Sequence, residues 1–134
     1  MNRVVARFRD GQLVKGSTSD FVPTKEFFHV ALADAAPGTK PQLVYVKELK
    51  AIFFVKDFAG RPDYKPTNEF ENDRTQAGSR RIKVVFADGE VIVGTTQGYQ
   101  PSRPGFFMVP ADTAANNIDR LYVVAAATSD VTLL

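Results

Sequence analysis

The chain has no cysteine and only one histidine among its 134 residues, and those two shortages remove much of the usual catalytic repertoire. Without thiols there is no disulfide framework, no cysteine-based zinc site and no thiol nucleophile, a composition that fits a reducing compartment. No apolar run approaches the roughly 20 residues that a membrane helix requires. Arg3, Arg7 and Arg9 interrupt the N-terminus before an apolar stretch of signal-peptide length can form. The expectation is a cytoplasmic, soluble protein with no membrane partner. What is present argues against disorder: 44% of the residues are hydrophobic and 24% charged, inside the ordinary globular range.

Charge is spread unevenly. Residues 1–67 hold 11 Lys/Arg against 7 Asp/Glu, and residues 68–134 hold 6 against 8. The basic half could meet a polyanion or attract its acidic counterpart. No cluster of basic residues interleaved with aromatics appears, so ordinary solvated surface is the simpler reading.

The strongest positive signal is an echo at an offset of 78 positions. VARFRDGQLVKGSTSDFVP, from residue 5, returns as KVVFADGEVIVGTTQGYQP, from residue 83. Phe8, Asp10, Gly11, Gly16, Thr18 and Pro23 fall on Phe86, Asp88, Gly89, Gly94, Thr96 and Pro101. These are turn and strand positions, which a fold needs and a reaction does not.

Alternation places Val4, Ala6 and Phe8 on one face of a first strand and Val5, Arg7 and Arg9 on the other; the copy points Ile82, Val84 and Phe86 inward. Asp10-Gly11 and Asp88-Gly89 are hairpin turns. Second strands follow at Leu13 to Gly16 and Val91 to Gly94, each bent where its glycine lets another layer come close. Pro23 and Pro101 end them. Third strands are expected over Glu26 to Val30 and Gly105 to Val109, with one extra residue in the second connection. A fourth strand at Val44 to Val46, a turn at Lys47-Glu48 and a fifth strand at Lys50 to Val55 complete the first half. The second half is expected to close with Leu121 to Val124, a turn near Ser129-Asp130 and Val131 to Leu134.

Between the halves, Asp57 to Ser79 has no sustained period. Phe58, Tyr64 and Phe70 recur through it like anchors, so the segment is expected to pack across the surface, with a disordered linker as the competing reading. The division is therefore 1–56, a first small β-barrel; 57–79, a packed linker; and 80–134, a second barrel. The fold class is all-β, two tandem five-stranded barrels related by pseudo-twofold symmetry.

Such units, with a bent glycine-bearing second strand and a tight turn before the last strand, resemble the small Sm-like or SH3-like barrels. The strings FRDG…VKG…T…DF.P, ELKAIFFVKDFAG and FADGE…VG.T.GY.P…GFF..PAD…NN also resemble a bacterial family known only as a domain of unknown function and sometimes linked to signalling proteins. That resemblance spans nearly the whole chain and implies no particular activity.

Catalytic candidates are few. His29 is expected on the third strand beside Phe27-Phe28, with Met108 as its partner in the other half, and reads as a strand residue. No G-x-S-x-G, G-x-x-x-x-G-K or H-E-x-x-H occurs. Asp10 and Asp88 belong to turns, and Asp112 precedes a loop whose amides its side chain would cap. No enzyme activity, cofactor or metal is expected. Arg3 and Arg7 have the Arg-x-x-x-Arg spacing that PilZ-type domains use against cyclic dinucleotides, but no Asp/Asn-x-Ser-x-x-Gly follows, and an exposed strand face explains them.

The double aromatics carry more. Neighbouring strand side chains point to opposite faces, so Phe27-Phe28, Phe53-Phe54 and Phe106-Phe107 cannot all enter one interior. The last strand of each half is apolar on both faces, Ile52 and Phe54 against Phe53 and Val55, then Val131 and Leu133 against Leu134, which calls for cover on both sides. Packing of one half on the other supplies it; an exposed patch would mark a partner site. The candidate binding residues are Phe53, Phe27, Phe107, Arg7, Arg9 and Lys15. The expected role is a protein–protein interaction module, with self-association included. The alternatives are a nucleic-acid-binding Sm-like module and a nucleotide or small-ligand sensor.

Overall fold

The structure is a computed structural model that describes residues 2–60, 63–65, 67–70, 78–113 and 116–134. It is all-β. In the N-terminal half, strands β1 (Asn2–Phe8), β2 (Leu13–Thr18), β3 (Phe27–Leu32) and β4 (Gln42–Tyr45) lead through a 3-10 turn at Val46–Glu48 into β5 (Leu49–Val55). The C-terminal half repeats the series as β6 (Arg80–Phe86), β7 (Val91–Thr96), β8 (Gly105–Pro110), β9 (Ile118–Val124), a 3-10 turn at Ala125–Ala127 and β10 (Thr128–Leu133).

Local chemistry explains the hairpins. Arg9-Asp10-Gly11 forms a three-residue loop in which Gly11 takes φ 95°, Gly11 N–H donates to the Phe8 carbonyl, and the Asp10 carboxylate accepts from the Gln12 N–H. Gly89, at φ 94°, and Asp88 do the same in the other half. Gly16 and Gly94 mark close approach: a Cβ there would stand 2.2 Å from the Ala31 carbonyl oxygen and 1.9 Å from that of Val109. Both second strands stop at the threonine, well before Pro23 and Pro101.

Among the described residues, ten strands form one open antiparallel sheet in the order β10-β6-β7-β8-β9-β5-β1-β2-β3-β4. The order reads fifth, first, second, third, fourth, and then the same again, and because every pairing is antiparallel, a shift of five strands makes like strands of the two halves run in opposite directions. The seam is antiparallel pairing of β5 with β9, Ala51 opposite Val123, Ile52 opposite Tyr122 and Phe53 opposite Leu121. A fifth strand lies on a fourth, head to tail.

Register also moves the extra residue. Gly16 faces Leu32 and Gly94 faces Pro110, so the offset of 78 persists through the third strands and the insertion falls between the third and fourth. His29 consequently corresponds to Phe107, not Met108. In the C-terminal half the turn before the last strand is Ala125–Ala127 rather than Ser129-Asp130, because Thr128 already pairs with Phe86.

Two apolar clusters lie on opposite faces of the β5–β9 seam, and each draws on both halves. Ala51, Phe53 and Val55 pack with Ile82, Val84, Phe86, Met108 and Leu121. Tyr122 and Val124 pack with Val4, Phe28, Val30, Ile52 and Phe54. All seven β5 residues are buried, as its two apolar faces require. The same expectation fails for β10, an edge strand that exposes Ser129, Asp130 and Thr132; the second strand covered on both faces is β9, through Leu121 to Val124.

The described parts of the connection lie on the sheet. Phe58 packs against the larger cluster and Phe70 lies beneath the Arg81 guanidinium at 4.1 Å. Residues 61, 62, 66 and 71–77, also assigned to the linker, fall outside the described residues.

Candidate functional site

The six candidate residues separate into different surroundings. Arg7 and Lys15, from β1 and β2, line a cleft of about 490 Å³ between the halves, together with Phe53, Phe58, Asn68, Glu90 and Asn117. Phe53 forms its floor. At 5% exposure it belongs to the core, with the Arg7 guanidinium 5.4 Å over its ring, so it is not an outward-facing ring. Arg9 sits in the β1–β2 turn beside a smaller hollow that also touches Lys50 and Asp88. Phe107 is half-buried at the seam, 6.1 Å from both Phe21 and Phe54 and 5.1 Å from Tyr122. Of the three candidate rings, Phe27 alone is exposed, on the outer face of β3.

Polar groups hold the cleft in shape. Asp112 is almost fully buried; burial pushes its carboxyl up, but hydrogen bonds from the Tyr64 hydroxyl at 2.6 Å, the Thr67 N–H at 2.9 Å and the Asn116 amide at 3.2 Å more than offset this and hold it below the ordinary carboxylate range. The carboxylate thus ties the connecting segment to the end of β8. Asn68 works alongside it, accepting from the Val93 N–H and donating to the Val91 carbonyl, so one side chain serves the backbone of β7. Asn117 makes the same paired contact with the backbone of Asp57. The Lys56 ammonium donates to the Thr113 and Asn116 carbonyls.

A charged pair crosses between the halves. The Lys50 ammonium, 4.7 Å over the Phe86 ring, donates to the Asp88 carboxylate at 2.6 Å and to that of Glu90. The Lys50 hydrogen bond, helped by the Glu90 N–H, holds Asp88 below its ordinary pKa. Asp10 and Asp88 are therefore turn residues, and Asp88 is also the anchor of an inter-half ion pair.

The outer face of β3–β4 has a different character. Phe28, Val30 and Val44 point inward, leaving Phe27, His29, Leu43 and Tyr45 outward. Phe27 stands opposite Tyr45 and His29 opposite Leu43, with ring centroids 6.0 Å apart for both Phe27–Tyr45 and Phe27–His29. Lys25 and Lys47 lie over the Phe27 and Tyr45 rings. Asp20 fixes the imidazole, its carboxylate 2.8 Å from Nδ1 and 2.9 Å from the His29 N–H. Burial pushes that carboxyl up, but the His29 N–H and ring and the Thr18 hydroxyl bring it down to about 2.

Leu43 and Tyr45 were missed as candidates, although alternation about the inward Val44 marks both. Asp112 was expected to cap neighbouring amides; it accepts from the Asn116 side-chain amide four residues on, but its other partners, Tyr64 and Thr67, are more than 40 residues away, which no local pattern signals.

Fold and surface define an all-β protein, one open ten-stranded antiparallel sheet with an aromatic outer face at one edge. The chain belongs to a family of unknown function, DUF6982, which it matches over residues 1–134. No curated protein and no solved structure matches it.

Proposed function

We propose that this chain is a non-catalytic protein-binding module of the cytoplasm, built from two tandem small β-barrel units, residues 1–56 and 80–134, joined through β5 and β9. The observation that carries the reading is the outer face of β3–β4, where Phe27, Leu43 and Tyr45 are 38%, 43% and 41% exposed on adjoining strands. Three large apolar side chains side by side at a sheet edge offer both buried area and unpaired backbone groups to a partner.

The test compares the natural chain with a Phe27→Ser, Leu43→Ser double variant in capture from a cell extract. Both positions are exposed, so the variant is expected to melt with the natural chain and to lose the captured protein. Apolar binding of this kind survives moderate salt, whereas phosphate-driven nucleic-acid binding falls steeply. A natural chain that captures no protein defeats the reading.

One observation favours a second reading. The inter-half cleft places Arg7 and Lys15 beside the Phe53 ring, a combination that suits a small anionic ligand with an aromatic part. A thermal-shift panel that includes cyclic dinucleotides tests it, and a flat response closes it.

A further inference from the structure

We propose that the partner of the β3–β4 face is a second copy of this chain, added head to tail so that β4 of one copy pairs with β10 of the next. This rests on the protein-binding reading and names the occupant. Strand order is the first argument. The sheet joins its halves by laying a fifth strand, β5, on a fourth, β9, and its two free edges are a fourth, β4, and a fifth, β10. The contact that builds the molecule is therefore available to be made once more between molecules.

The outer faces give the second argument. By pairing register, His29, Leu43 and Tyr45 occupy in the N-terminal half the places that Phe107, Tyr122 and Val124 occupy in the other. Those three are covered at the seam. Phe21 lies 5.3 Å from the Tyr122 ring and 6.1 Å from Phe107, and Phe54 lies 6.1 Å from Phe107. The first set is bare. The residues equivalent to Phe21 and Phe54 are Tyr99 and Leu133, both half-buried against the C-terminal cluster. A following copy would set Leu43 and Tyr45 against them. Charge agrees: the half presenting β4 holds 11 Lys/Arg against 7 Asp/Glu, and the half presenting β10 holds 6 against 8.

Transferring the β5–β9 register places Val44 opposite Asp130, Leu43 opposite Val131 and Gln42 opposite Thr132. The ladder stops there, because the next residue, Pro41, has no N–H to donate. Pro41 also stands where Arg120 clamps the Phe54 and Phe107 rings at 4.4 and 4.9 Å, and Asp130 and Thr132 stand where Ala51 and Phe53 enter a core. The contact between copies is thus apolar on one face only, and its association is reversible and concentration-dependent. A fourth-on-fifth contact is not self-complementary, so it propagates into an open chain or closes as a ring rather than ending at a twofold dimer.

The absence of cysteine makes the test clean. In a Gln42→Cys, Thr132→Cys double variant, both positions exposed, oxidation is expected to link copies into a ladder of dimers, trimers and larger species on a non-reducing gel. Neither single variant gives a ladder. In sedimentation of the natural chain, mean mass rises with concentration, and Leu43→Glu moves that rise to about tenfold higher concentration or more. Crosslinked dimer from Gln42→Cys alone signals a twofold edge contact and overturns the proposal. A natural chain that sediments as a monomer up to about 1 mM, where even a contact worth about 4 kcal/mol would show, also overturns it. If that monomer still captures another protein through Phe27 and Leu43, the protein-binding reading stands and only the identity of the partner falls.

Discussion

Strands β5 and β10 close their halves in the same way, β5 pairing with β1 and β10 with β6, yet they have opposite fates. Every residue of β5 is buried, while β10 alternates half-buried Val131 and Leu133 with exposed Asp130 and Thr132. The difference lies on the far side: β5 has β9 there, and β10 ends the sheet. Equivalent positions in the two halves thus carry different energetic weight according to whether the next strand is present.

The sharpest way to break the comparison is to truncate at equivalent positions of the two strands. Phe53→Ala removes a ring from the shared core and is expected to cost roughly 3–5 kcal/mol. Thr132→Ala, at the equivalent place in β10, is expected to stay within about 0.5 kcal/mol. Urea denaturation of both variants checks this, and similar losses would mean that β10 is covered in solution.

A smaller effect tests whether the halves are built alike. Gly16→Ala and Gly94→Ala each drive a methyl group into the carbonyl of the facing third strand, at 2.2 and 1.9 Å, and backbone must move in both. We expect each to cost roughly 1–3 kcal/mol, as overpacking does. Thermal unfolding that finds one substitution costly and its counterpart silent would show that the two bends do different work.

Strands were legible because local rules set them: alternation, Asp-Gly turns and in-strand glycines all act within a few residues. The buried face of β5 was legible for the same reason, since a run from Ala51 to Val55 has no polar side. Which strand lay against it was not, because pairing order is decided by contacts between residues some 70 apart. The run Leu121 to Val124 carried the signal of a second central strand, but alignment of the halves treated it as a copy of the short fourth strand. Val131 and Leu133 were read as two-sided because Leu134 follows them, although Asp130 and Thr132 already mark an edge. At the candidate site, Phe27 could be singled out from its doubled ring, while Leu43 and Tyr45 became visible only once β4 was placed beside β3.

Acid sharpens the comparison further, because the Asp20–His29 pair of the N-terminal half has Gly98 and Phe107 as its counterparts. Asp20 is lowered from the ordinary 3.8 to about 2 in the folded chain. A carboxyl whose folded pKa is the lower one contributes stability that is complete above the unfolded value and is lost as pH falls toward the folded one. Stability is therefore expected to decline between about pH 4 and pH 2, with Asp88 and Asp112 contributing in the same direction. Asp20→Asn should flatten part of that decline and leave stability at pH 7 lower than in the natural chain. An unchanged acid profile in chemical denaturation would show that the carboxylate gains nothing from its partners.

The smallest expected effect falls on the outer face itself. Leu43, 43% exposed, corresponds to Tyr122, which is 2% exposed beneath Phe21. In dilute solution Leu43→Ser should alter stability by no more than about 0.5 kcal/mol, since little of the side chain leaves water on folding. At high concentration the same substitution should lower the melting temperature relative to the natural chain, because any association that covers Leu43 adds to the stability of the folded form by mass action. The gap between natural and variant chains should therefore widen as concentration rises. A gap that is constant across concentration would assign Leu43 no cover beyond its own chain, and would separate the bare face of β3–β4 from the covered face of β8–β9 for good.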